Sequence, residues 1–86
     1  MMGKRKLLQK ALTSPNNIAF RDLISLIEAF GFHLSRINGS HHIYVHPDVR
    51  EPVNLQNVHG QAKAYQVRQV LRIVEWYNLS LGDDDE

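Results

Sequence analysis

Apolar residues recur at spacings of three and four in two stretches of this chain: Phe20, Leu23, Ile24, Ile27 and Phe30, then Val67, Val70, Leu71, Val74 and Tyr77. Each stretch predicts a helix with one apolar face, and Gly31 closes the first by supplying the backbone conformation in which helices stop. Between them lie three short runs rich in branched and aromatic side chains, Phe32 to Ile37, Ile43 to His46 and Pro52 to Leu55. Asn38-Gly39-Ser40 reads as the hairpin connection between the first two runs. Pro47 to Glu51 reads as a loop to the third, whose leading Pro52 suits the start of an edge strand. The economical solution is an α+β fold in which two helices bury their stripes on one face of a three-stranded antiparallel meander. The other sheet face is left to solvent or ligand.

With 86 residues and no cysteine, the chain has room for one core and no disulfide or thiolate zinc site to support it. Lys4 to Leu12 places Leu7, Leu8, Ala11 and Leu12 at helical spacing before the turn-forming Thr13-Ser14-Pro15-Asn16-Asn17. Residues 1–17 are therefore expected to be a helical extension, 18–80 the main domain and 81–86 an acidic disordered tail, since little from Ser80 onward is apolar. The apolar stretches are short and broken by charges, so no membrane segment is expected and a cytoplasmic location is.

Net charge is only +1, too small for the overall field to drive binding to nucleic acid. Its distribution is uneven. Lys4, Arg5 and Lys6 open the chain, Lys63, Arg68 and Arg72 share a later segment, and Asp83 to Glu86 close it, leaving the folded part basic. A solvated surface explains such charges as well as an RNA surface does.

Histidines gather on or just after the expected sheet, among them His41, His42, His46 and His59. An unperturbed imidazole titrates near neutral pH, which suits acid-base chemistry. RNA carries its own nucleophile, a 2′-hydroxyl that attacks the adjacent phosphorus once a base takes its proton. His41 is the best candidate for that base because it follows Gly39-Ser40, where a glycine lets backbone approach a phosphate and successive amides can donate to it. By spacing alone, the same residues also fit an ordinary hairpin turn with a surface histidine.

His42, Tyr44 and His46 alternate with Ile43 and Val45, so a regular strand puts the polar set on one face and the aliphatic set on the other. His41 sides with the aliphatic set. It is then expected at the rim of the helix-covered face, unless a bulge beside the turn reorients it. No metal is expected: neighbours on a strand point to opposite faces, and His42 and His46 stand about 13 Å apart at about 3.3 Å per residue. No other cofactor is expected. Ser40 is not read as a nucleophile, because no strand-turn-helix elbow surrounds it. Trp76 and Tyr77 read as core or partner-contact residues.

Phe30-Gly31-Phe32-His33-Leu34 followed by Asn38-Gly39-Ser40-His41-His42-Ile43-Tyr44-Val45-His46-Pro47 closely resembles the HicA toxins of bacterial toxin-antitoxin pairs, over roughly Phe20 to Leu79. The resemblance implies a fold like double-stranded RNA-binding domains, metal-independent cleavage of messenger RNA, and an antitoxin partner, HicB, that occludes the site. It makes His41 the catalytic position, with Gly39 and Ser40 shaping its turn and His42 and Tyr44 as neighbours. Arg36, Lys63 or Arg68 are candidates to neutralise the phosphate, and His42, His59 or water to protonate the leaving oxygen. Members usually carry a proline-histidine pair after the third strand, whereas this chain reads Asn57-Val58-His59-Gly60. The alternatives are a non-catalytic RNA-binding module and a degenerate toxin that only holds the antitoxin.

Overall fold

The computed structural model describes residues 3–82. In chain order it contains α1 (Lys4–Thr13), a single 3-10 turn (Pro15–Asn17), α2 (Phe20–Ala29), β1 (His33–Asn38), β2 (His41–His46), β3 (Val49–Gln56) and α3 (Ala64–Trp76). The strands form one antiparallel meander in the order β1-β2-β3. This is the expected α+β arrangement.

Phe20, Leu23, Leu26 and Ile27 of α2 are buried together with Val67, Val70 and Ile73 of α3 and with Tyr44, Val53 and Leu55 of the sheet. Leu55 is fully enclosed, and truncating a side chain of that kind to alanine costs about 2–5 kcal/mol. The leading helix joins the same core through Leu7 and Ala11, so it caps the domain. Its Leu12 points outward and is exposed.

α2 ends in a paired hydrogen-bond lock. Gly31 N–H donates to the Glu28 carbonyl at 3.0 Å and Phe32 N–H to the Ile27 carbonyl at 3.1 Å, while Gly31 adopts φ +102°. This is the Schellman arrangement, which satisfies carbonyls that a helix end otherwise leaves free. Gly31 has a second constraint: a Cβ there would stand 2.9 Å from His46 Nε2.

Three expectations change. The third strand begins at Val49 rather than Pro52, because buried Val49 pairs with His46 and Pro47-Asp48 alone makes the turn. Pro52 lies within the strand, tolerated because β3 is an edge and its pairing with β2 is interrupted between Tyr44 and His46. The tail is ordered for longer than its composition suggests. Leu79 and Leu81 pack against the core and Gly82 N–H donates to the Ala29 carbonyl at 2.9 Å. The expected disorder of residues 83–86 lies outside the described residues.

The third change concerns which side of β2 the helices cover. His42, Tyr44 and His46 face the helices, and His41, Ile43 and Val45 face away. The polar-looking set consists of rings with apolar bodies and polar tips, and such side chains bury readily when their tips find partners. His41 therefore lies on the open face, not at the rim of the covered one. No bulge reorients it, since pairing with β3 runs unbroken from His41 to Tyr44.

Candidate active face

The turn before His41 is a two-residue hairpin loop, Gly39-Ser40, closed by the pairing of Asn38 with His41. Gly39 has φ +64°, the conformation demanded of the first residue in a tight hairpin with glycine leading. No atom lies within 4 Å of where its Cβ would stand, so the backbone there is open. Ser40 is tied down instead. Its carbonyl accepts Asn57 N–H at 3.0 Å and its hydroxyl accepts Gln56 Nε2–H at 3.4 Å.

His41 is half-buried at the start of β2. Its Nδ1 stands 3.0 Å from Asn54 Oδ1 of β3. Nε2 has no hydrogen-bond partner among the described residues. Side chains directly opposite across a sheet share a face. By the observed register His41 is joined by Asn38 and Gln56, with Arg36, Ile43 and Asn54 one pair further along and His33 and Val45 beyond them. None of these is acidic. Arg36 reaches this face through a register shift between Leu34 and Arg36, which sets it opposite Ile43. Without the shift it would alternate onto the side of Leu34.

His42 and His46 have different surroundings. His42 packs its ring edge on Phe20 at 5.0 Å between centroids, and its Nδ1 lies 3.3 Å from the Ser40 carbonyl, which can only accept. His46 Nε2–H donates to the Phe30 carbonyl while its Nδ1 accepts Asp48 N–H, both at 3.0 Å, and its ring packs edge-on against Phe32. These two histidines hold the sheet to α2. Burial, with the Glu28 carboxylate adding to it, pushes the Tyr44 hydroxyl above its usual range, so this phenol is neutral at physiological pH and faces the core.

His59 and Gly60 are the tip of a tight turn, both with positive φ, bracketed by hydrogen bonds between Val58 and Gln61. His59 is exposed there and has no hydrogen bond to His41. Lys63 is the residue immediately before α3. Arg68 lines a groove between α1 and α3 with Leu8, Leu12 and Leu71, in the helical layer rather than on the face of His41. The structure thus groups His41 with Arg36 and the Gly39-Ser40 turn, and separates them from His42, Tyr44 and Arg68. Among the described residues no three histidine, aspartate or glutamate side chains converge as a metal ligand set.

Two residues of this region are absent from the candidates drawn from sequence. Asn54 sits between Val53 and Leu55, so alternation places it opposite the core, but its meeting with His41 depends on register. Gln66 is buried; its Oε1 accepts Gln56 N–H at 3.0 Å and its Nε2–H donates to the Asn54 carbonyl at 3.3 Å. Its spacing of four from Val70 puts it on the apolar stripe, which was a legible signal.

Fold and site together define a small α+β domain that displays one anchored, solvent-reachable imidazole on an open sheet face that carries no acid among the described residues. No helix among the described residues is long and apolar enough to cross a membrane. The chain belongs to the HicA toxin family, whose sequence profile, described as HicA toxin of bacterial toxin-antitoxin, matches residues 20–76, more than half of its length. It is thus a toxin of a toxin-antitoxin pair. The match runs from the first residue of α2 to the last of α3 and leaves α1 outside. No curated protein and no solved structure matches the chain.

Proposed function

We propose that this toxin is a metal-independent endoribonuclease that cleaves messenger RNA, with His41 as general base. The observation that carries the reading is the setting of His41: one ring nitrogen is bonded to Asn54 and the other has no partner among the described residues, on a face open to solvent. Neutral His41 Nε2 takes the proton of a ribose 2′-hydroxyl, and the 2′-oxygen attacks the adjacent phosphorus. The bond from phosphorus to the 5′-oxygen breaks. That oxygen takes a proton from water, leaving a 2′,3′-cyclic phosphate and a 5′-hydroxyl end.

Arg36 on the same face supplies a fixed positive charge for the phosphate, and the open turn at Gly39 admits the RNA backbone. His42 is directed to the helices, so water is preferred as the acid. The family supports an antitoxin as partner, and covering the open face would block the base.

The test is cleavage of messenger RNA by purified wild type and His41→Ala in excess chelator, with circular dichroism to verify folding. A fall of at least about a hundredfold is expected, the usual worth of a general base. Full cleavage by the folded variant would overturn the assignment. RNA bound but left intact by the wild type would identify a binding module instead, and activity lost in chelator would point to a metal.

A further inference from the structure

His41 lies on the face of the sheet where water reaches it, and an exposed imidazole rotates and exchanges tautomers unless something holds it. An amide oxygen only accepts hydrogen bonds, so the 3.0 Å approach of Asn54 Oδ1 places the ring hydrogen on Nδ1. The lone pair needed for taking a proton then lies on Nε2, which has no protein partner among the described residues.

Asn54 is itself held. Buried Gln66 on α3 bonds the strand on both sides of Leu55, accepting from Gln56 N–H and donating to the Asn54 carbonyl. Leu55 between them is fully enclosed in the core. The backbone that carries Asn54 is thus fixed by the helical layer, while its side chain projects onto the opposite face. Gln66 also satisfies backbone groups of an edge strand that would otherwise need water.

We infer that Asn54 is the positioning residue of His41: it selects the Nδ1–H tautomer and aims Nε2 outward as the base, on a strand clamped by Gln66. This rests on the reading of His41 as the base. The partner is a neutral amide, whereas a carboxylate in the same place would favour the protonated ring and keep it from accepting a proton until higher pH.

The test uses the purified full chain and two variants, Asn54→Leu and Asn54→Asp, with two readouts. Long-range proton-nitrogen correlation spectra report the His41 tautomer independently of any activity. The wild type is expected to show Nδ1–H, Asn54→Leu to lose that preference, and Asn54→Asp to retain it. Cleavage of messenger RNA is expected to fall about fivefold in Asn54→Leu, the worth of one neutral hydrogen bond, in kcat rather than KM. In Asn54→Asp the acid limb of the pH profile is expected to move upward, with the rate recovered above it.

Nε2–H in the wild type, or an unchanged tautomer in folded Asn54→Leu, would overturn the positioning role whatever the activity. If the tautomers behave as expected but His41→Ala still cleaves RNA, the catalytic reading fails and the positioning stands. If His41→Ala is inactive while Asn54→Leu keeps its full rate and tautomer, the positioning fails and catalysis by His41 stands.

Discussion

His41 and His42 are the same residue type, adjacent in the chain, and on opposite faces of one sheet. His42 turns its ring onto Phe20 and bonds the Ser40 carbonyl through Nδ1, so its ring is tied to the covered side of the sheet. His41 meets one amide, and its other nitrogen has no partner among the described residues. His46, two pairs further along the covered face, has both ring nitrogens bonded to backbone. A histidine with both ring nitrogens bonded, as His46 is, serves as a structural element, whereas His41 and His42 each have one bonded nitrogen and differ in the face on which they stand. What separates them is strand parity.

Alanine substitutions test the contrast, and their effects should divide cleanly between activity and stability. His41→Ala has the largest expected effect, loss of at least about a hundredfold in cleavage. Its unfolding free energy in urea should stay within about 1 kcal/mol of wild type, the worth of the one hydrogen bond to Asn54. A large stability loss would mean that the open face is part of the structural framework.

His46→Ala should show the reverse. Two hydrogen bonds and an edge-on ring contact disappear, and denaturant unfolding should record a loss of about 2–3 kcal/mol. Cleavage per folded molecule should be retained. His42→Ala follows with a loss of about 1–2 kcal/mol, from one longer hydrogen bond and the Phe20 contact. A folded His42→Ala protein with hundredfold slower cleavage would break the contrast and make His42 part of the chemistry.

The smallest effect is the pH dependence carried by Tyr44. Burial and the nearby Glu28 charge raise its ionisation above the ordinary value of about 10. Below the unfolded value both states hold the proton and stability is unaffected. As pH rises beyond it, the unfolded chain releases the proton more readily and stability falls. Stability of the wild type measured from pH 9 to 11 should therefore decline more steeply than that of Tyr44→Phe.

The helices were legible because an apolar stripe at three- and four-residue spacing has few alternatives, and Gly31 marks where α2 stops. The hairpin was legible because Gly39 supplies the positive φ of a two-residue loop. The start of β3 was not, since Val49-Arg50-Glu51-Pro52 lacks strand character and becomes a strand by pairing with β2. The covered face of β2 was misread for a related reason. Polarity scales class tyrosine and histidine as polar, but here Tyr44 is buried in the core and the His42 and His46 rings pack on Phe20 and Phe32 while their ring nitrogens bond locally.

By itself, the sequence determined the element order and the family and singled out His41 as the candidate base, because periodicity, turn chemistry and a short ordered motif are local properties of the chain. Tertiary structure alone decided what surrounds His41. Asn54 lies thirteen residues away and meets it only through the β2-β3 register, Arg36 joins the same face only because β1 shifts register, and Gln66 steadies the strand only because α3 packs beside it. Register is set by pairing and burial across the whole sheet, so no stretch of sequence encodes it alone.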